Sequence, residues 1–359
     1  MLRILPHSES TALDVEPRAV FTVLDRTESS AHTREAVIHH LVIGEGQIGR
    51  AIIERALTDG DTVTVLRRTE KDPSPGIRRV AGDVLDPAAL GAAIDGADAV
   101  MATFHAPYDA RLWRQQLPPR ELAVLDAAAE RGIPVVLPES FYGFQGAAAF
   151  LTEDASPSPQ DEKGRVRVEL LAARRAHRAR TLSVIASDLI GPSTVGTGAA
   201  VATAMVIEPL LAGRRAILFG RADAPHTLTH VPDLAAAMLH AARRAEHLTG
   251  AAGDAVLNAP AAPAHTQGEL IAEVSRLVGA SARRPLPIPR AALSLLAPFN
   301  TFARELHGIC GLWYGPCAQV PGRLKREEGL VTTSWEDAVG ATVRAAQGAR
   351  DTKAVSVAP

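Results

Sequence analysis

The chain has 359 residues and a formal net charge of −2, with 47% hydrophobic and 22% charged residues, the balance of an ordinary soluble globular enzyme. No run approaches the roughly 18 uncharged apolar residues that a membrane span needs. The opening MLRILPHSES lacks the apolar stretch of a secretory signal. The expectation is therefore a cytoplasmic protein with no membrane partner, and no strongly basic patch points to nucleic acid.

Residues 1–36 are polar, mixed in charge and aperiodic, and read as a disordered extension. From Val37 onward apolar runs alternate with helical patterns. VIHHLVI is strand-like; the segment from Gln47 to Asp59 follows as a helix, with Ile48, Ala51, Ile52 and Ala56 on one face. TVTVL, RRVAGDV and DAVMATF read as further strands, with PAALGAAID as a helix between the last two. ELAVLDAAAERG is a helix, IPVVLPES a strand, KGRVRVELLAARRAHRA a long helix and TLSVIAS another strand. Such alternation predicts a doubly wound, parallel α/β sheet.

After Pro192 the pattern loosens. A helix is expected over 198–213, a strand at RAILFG, and a helix entered through Asp233 as its cap. Helical periodicity returns from Thr266 to Gly279. The expected division is a Rossmann core of residues 37–190 with 229–260 returning to it, a substrate lobe of 191–228 and 261–345, and a tail of 346–359. Cys310 and Cys317, in CGLWYGPC, fit neither a zinc ribbon nor a redox Cys-x-x-Cys and read as buried free thiols. His226 and His230 stand in an extended stretch with no acidic or cysteine cluster, so no metal site is expected.

Gly44, Gly46 and Gly49, in GEGQIG, stand between the first strand and the first helix, the context a dinucleotide fingerprint requires. Gly44 permits the tight turn, Gly46 lets the backbone approach a pyrophosphate, and Gly49 lets helix and strand lie close. The helix start at Gln47 and Ile48 offers unpaired N–H groups and a positive dipole end to the anion. Arg67 and Arg68 end the second strand where an NAD-binding protein would place an acid against the ribose 2′-hydroxyl. A guanidinium there suits a 2′-phosphate, so NADP(H) is favoured over NAD(H), with a solvated strand end as the alternative. Asp83, after the third strand, could accept the adenine amino group with Val84 against the ring, and Asp86 is placed to cap the next helix.

In GEGQIG, GDVLDP, LPESFYGF, KGRVRVELL, ASDLIGP and THVPDLAAAMLHA the chain resembles the extended and atypical branches of the short-chain dehydrogenase/reductase superfamily, the epimerase/dehydratase group. The resemblance spans residues 37–345 and implies a seven-stranded Rossmann-type domain with a smaller C-terminal substrate lobe. It also implies a Tyr-x-x-x-Lys pair plus Ser or Thr, in which the lysine binds the nicotinamide ribose and lowers the tyrosine pKa. Here Lys163 matches the lysine, but Pro159 stands four residues before it. Ser140 matches the serine region and Tyr142 lies two residues on. Each has a plain alternative: Ser140 capping a turn, Tyr142 packed under a loop, Lys163 solvated. The expectation is an NADP(H)-dependent oxidoreductase or epimerase-like enzyme acting on a small carbonyl, hydroxyl or sugar-like substrate, with a homodimer left open. The rival reading is a non-catalytic or redox-sensing NADP-binding protein.

Overall fold

Seven apolar runs form one parallel sheet: β1 (His39–Ile43), β2 (Thr62–Arg67), β3 (Ile77–Ala81), β4 (Ala99–Ala102), β5 (Val135–Ser140), β6 (Thr181–Ala186) and β7 (Asp254–Asn258). Their spatial order is β7-β6-β5-β4-β1-β2-β3, with Val42 of β1 in register with Val65 of β2 and Met101 of β4. The structure is a computed structural model that describes residues 36–280 and 283–357. The expected extension of residues 1–36 lies outside them apart from Ala36.

Successive side chains of β1 point to opposite faces, so both faces must be covered. Val42 packs with Ile52 and Ala56 of α1 (Gln47–Thr58) and with Leu234 and Met238 of α5 (Val231–Arg243). Leu41 and Ile43 pack on the other side with Leu90 and Ile94 of α2 (Pro87–Ile94) and Val124 and Ala128 of α3 (Ala110–Arg131). Each of the valines, leucines, isoleucines and the methionine among these, fully buried, contributes about 1.5–3 kcal/mol. Asp86 caps α2, accepting the Ala88 N–H at 3.0 Å.

α3 begins well before the expected ELAVLDAAAERG. Asp109 accepts the N–H groups of Arg111 and Leu112 at its start, and Pro118 and Pro119 lie inside the helix without ending it. α4 (Glu162–Ala176) lies beside α3 and is capped by Asp161.

Beyond the sheet, the C-terminal part of the chain forms α6 (Gln267–Leu277), α7 (Arg290–Leu296), α8 (Thr301–Gly308) and short paired strands, among them Leu286–Ile288 beside Ile217–Phe219. Phe219, Leu293, Leu306 and Trp313 form its core together with Phe141 and Phe144. Two expectations are corrected. Asp233 is not the cap of α5; it sits in the first turn and accepts the N–H and hydroxyl of Thr333 at 2.8 and 2.7 Å, because residue 333 is brought over the helix start. The tail of 346–359 is not a separate segment: α9 (Trp335–Val357) crosses its expected start, with Val339, Val343 and Ala346 on one apolar face against Leu270 and Val274.

Candidate cofactor and active site

The carboxyl ends of β1 to β4 surround a cleft of about 560 Å³ that opens where the strand order reverses between β1 and β4. Gly44, Gly46, Asp83, Val84, Arg67 and Arg68 all face it.

The three glycines differ in why they are glycine. Gly44 has φ +97°, and a Cβ there would come within 3.0 Å of the Phe104 backbone. A Cβ on Gly49 would lie 2.0 Å from the Gly44 carbonyl oxygen, so β1 and α1 could not approach as they do. A Cβ on Gly46 would meet no protein atom within 4 Å. Nothing inside the protein requires that glycine, yet it lines the cleft at the α1 N-terminus, where no side chain caps the helix. The first N–H groups of α1, at Gln47 and Ile48, therefore remain for a ligand. These features fit a pyrophosphate. Thr103, at the end of β4, holds the turn by donating its hydroxyl to the Gly44 carbonyl at 2.8 Å.

At the end of β2, Arg67 is not a free guanidinium. It donates to Glu45 at 2.8 Å, Arg79 of β3 donates to the same carboxylate oxygen at 3.0 Å, and Lys71 donates to the other at 2.7 Å. These cations hold the Glu45 carboxyl below its ordinary range against the opposing effect of burial. An adjoining cavity of about 380 Å³ is lined by Arg67, Thr69, Glu70, Lys71 and Arg79. Arg68 is exposed at the rim of the main cleft. Arg67, Arg68, Lys71 and Arg79 still outnumber the acids Glu45, Glu70 and Asp83. Asp83 turns one oxygen inward to accept the Leu85 N–H at 3.0 Å, and Val84 is buried beneath the cleft.

Lys163 is 1% exposed. Its ammonium donates to the Glu305 carboxylate at 2.6 Å and to the Glu305 carbonyl at 2.9 Å, and Asp161 lies 3.3 Å away. Two of its hydrogens are thus donated to Glu305, at the start of a contact that joins α4 to α8. Burial pushes the Tyr142 hydroxyl up to about 12, with Asp188 and Asp161 adding to the rise. Lys163 lies 4.8 Å from the Tyr108 ring centroid and 6.0 Å from that of Tyr142, but two carboxylates consume its charge.

Tyr142 does not stand alone. Its hydroxyl is 3.3 Å from that of Tyr108, and both rings pack on Trp113, as does His105, which reaches the cleft. His105 Nδ1 faces the Ala106 carbonyl at 2.7 Å, so Nε2 is the acceptor for Arg167 at 2.7 Å. Desolvation, then the Arg167 charge, pushes the imidazole down to about 4. Arg167 continues inward to Glu139 at 3.6 Å, and Arg174 bridges Glu139 and Glu121. Ser140 ends β5 with its N–H donated to Glu139 at 2.8 Å. His226 is stacked on Trp313 at 3.8 Å and His230 pairs with Asp233, so the two histidines serve separate packing roles.

The sequence reading missed Glu45, Arg79, His105, Arg167 and Glu305. Arg167 carried one signal, its position one helical turn beyond Lys163.

Residues 44–186 match a family described as NAD(P)H-binding. No curated protein matches the sequence. Among solved structures, the WbmG enzyme of Bordetella bronchiseptica in complex with NAD and UDP is similar with a TM-score of 0.68 and 18% identity, covering 88% of this chain and 96% of that one. UDP-glucose 4-epimerase of Thermotoga maritima with UDP-glucose gives 0.66 and 15%, covering 87% and 100%. dTDP-glucose 4,6-dehydratase of Bacillus anthracis with NAD gives 0.67 and 15%, covering 88% and 98%. At these identities the likeness is one of fold.

Proposed function

From an NAD(P)H-binding domain set in the fold of epimerase and dehydratase enzymes, we propose that this protein is an NADP(H)-dependent oxidoreductase that reduces a small carbonyl or sugar-like substrate. The observation that carries the reading is Gly46: a glycine that the protein's own packing does not need, at an uncapped helix end in the cleft. Arg67, Arg68, Lys71 and Arg79 give the adenosine end the positive charge that a 2′-phosphate needs.

The nicotinamide supplies the hydride when bound. The chain's own part is to supply a proton to the carbonyl oxygen, and Tyr142, backed by Tyr108, is the proposed donor. Burial raises the Tyr142 hydroxyl above its ordinary value, so it is protonated at neutral pH and available as a hydrogen-bond and proton donor. Ser140, at the end of β5, is proposed to orient the substrate oxygen, and Lys163 to hold Tyr108 and α8 in place rather than to touch the cofactor.

The second reading, an NADP-binding protein without catalysis, is favoured by the enclosure of Lys163. NADPH oxidation against a panel of aldehydes, ketones and keto-sugars separates the two. Turnover that falls roughly 10²–10⁴-fold in Tyr142→Phe supports the proposed donor. Tight NADPH binding with no turnover on any carbonyl supports the second reading.

A further inference from the structure

α7 and α8 form a helical hairpin with two apolar faces. Leu293, Ala303 and Leu306 are buried in the core around Phe219 and Trp313, so the inner face is already satisfied. On the other side Leu295, Leu296, Phe299 and Phe302 are 72%, 52%, 88% and 58% exposed. The connection is ordered rather than slack, since Asn300 caps α8 by accepting the Ala303 N–H at 2.9 Å. Four large, exposed apolar side chains within eight residues of one hairpin are more than scattered surface residues.

The flank of this hairpin carries one sign of charge. Arg283, Arg284 and Arg290 precede the tip with no Asp or Glu among residues 283–303, while Arg304 beyond it pairs with Asp109 and Glu305. The pairing of Leu286–Ile288 with Ile217–Phe219 sets Arg214 and Arg215 beside them, and Arg215 donates to the Arg284 carbonyl at 2.7 Å. Elsewhere arginines pair with acids, as Arg79 does with Glu45 and Arg174 with Glu121. Arg214, Arg215, Arg283, Arg284 and Arg290 are exposed, and none forms an ion pair among the described residues. On a chain of net charge −2, this edge is a local excess of positive charge.

We infer that the α7–α8 hairpin is a peripheral docking surface for an anionic lipid bilayer, with Leu295, Leu296, Phe299 and Phe302 entering the interface and the flanking arginines held at the head groups. Exposed apolar residues beside a basic face are what interfacial binding requires, and it needs no spanning helix. The exposed arginines without ion pairs match an anionic surface, which is what selects a charged bilayer as the occupant. No helix among the described residues is long and apolar enough to cross a membrane, so the contact would be reversible.

The test is co-sedimentation of the full chain with vesicles. Binding is expected to phosphatidylcholine mixed with phosphatidylglycerol, not to phosphatidylcholine alone, and to weaken at high salt. Phe299→Ser with Phe302→Ser should lower partitioning at least about tenfold at an unchanged melting temperature, because both side chains are exposed. Arg283→Ala, Arg284→Ala and Arg290→Ala together should do the same. A wild-type chain that stays in the supernatant would overturn the inference, as would a phenylalanine variant that binds like wild type. A dimer that this variant dissociates, without vesicle binding, would give the face to a second copy. Binding that appears only after deletion of residues 1–35 would give it to that segment.

Discussion

Lys163 and Glu305 lie 142 positions apart, yet their side chains meet at 2.6 Å with 1% and 5% exposure. This pair joins the start of α4 to α8 and takes the ammonium out of the cleft. Losing one partner leaves the other charge buried and uncompensated. Lys163→Ala and Glu305→Ala should each cost about 3–5 kcal/mol, and Lys163→Met with Glu305→Leu should recover most of it. Urea unfolding measures this. NADPH affinity should change by less than about threefold in Lys163→Ala. Intact stability with lost NADPH binding would return the lysine to the ribose.

Gly46 and Gly49 should respond in opposite ways. A methyl at Gly49 would press on the Gly44 carbonyl, so Gly49→Ala should lower the melting temperature, the cost of overpacking being about 1–3 kcal/mol. Gly46→Ala has room within the protein and should melt as wild type does. Its NADPH affinity should fall at least about tenfold, because the methyl enters the proposed pyrophosphate space. Unchanged NADPH binding by Gly46→Ala would remove the pyrophosphate from that loop.

Glu45 is an internal anion set among Arg67, Lys71 and Arg79, which makes it a competitor for a 2′-phosphate. NADPH should bind more tightly than NADH to the wild-type chain. Glu45→Gln should tighten NADPH about tenfold while NADH moves less than about twofold, and Arg67→Ser with Arg79→Ser should weaken NADPH selectively. Calorimetric titration with both dinucleotides decides the matter. Equal affinities for the two in the wild-type chain would end the 2′-phosphate reading.

His226 sets a pH dependence of stability. Burial pushes its folded pKa down to about 4 from 6.5, so between those values the unfolded chain binds more protons. Its contribution is therefore complete above pH 6.5 and is lost as pH falls towards 4, by about 3 kcal/mol. Denaturant unfolding at pH 7 and pH 4.5 should show that loss, and His226→Phe should show less of it. The same loss in His226→Phe would assign the acid sensitivity to other groups.

How far the sequence alone reached follows from the range of the forces involved. The glycine-rich turn, the alternation of strands and helices, and the Asp86 cap depend on backbone sterics and on contacts a few residues apart, and all were legible in residue order. So was the positive end of β2 at Arg67 and Arg68. What the sequence could not disclose was which charges meet. Arg79 reaches Glu45 only because β3 lies beside β2, and Arg167 reaches His105 only because α4 packs along α3. The Glu305 carboxylate that meets Lys163 comes from α8, folded back from far along the chain. Residue order determined that a dinucleotide-type loop would form. Tertiary packing decided which side chains around it stay free to act, because in a buried site the partner that removes a charge from water comes from another element.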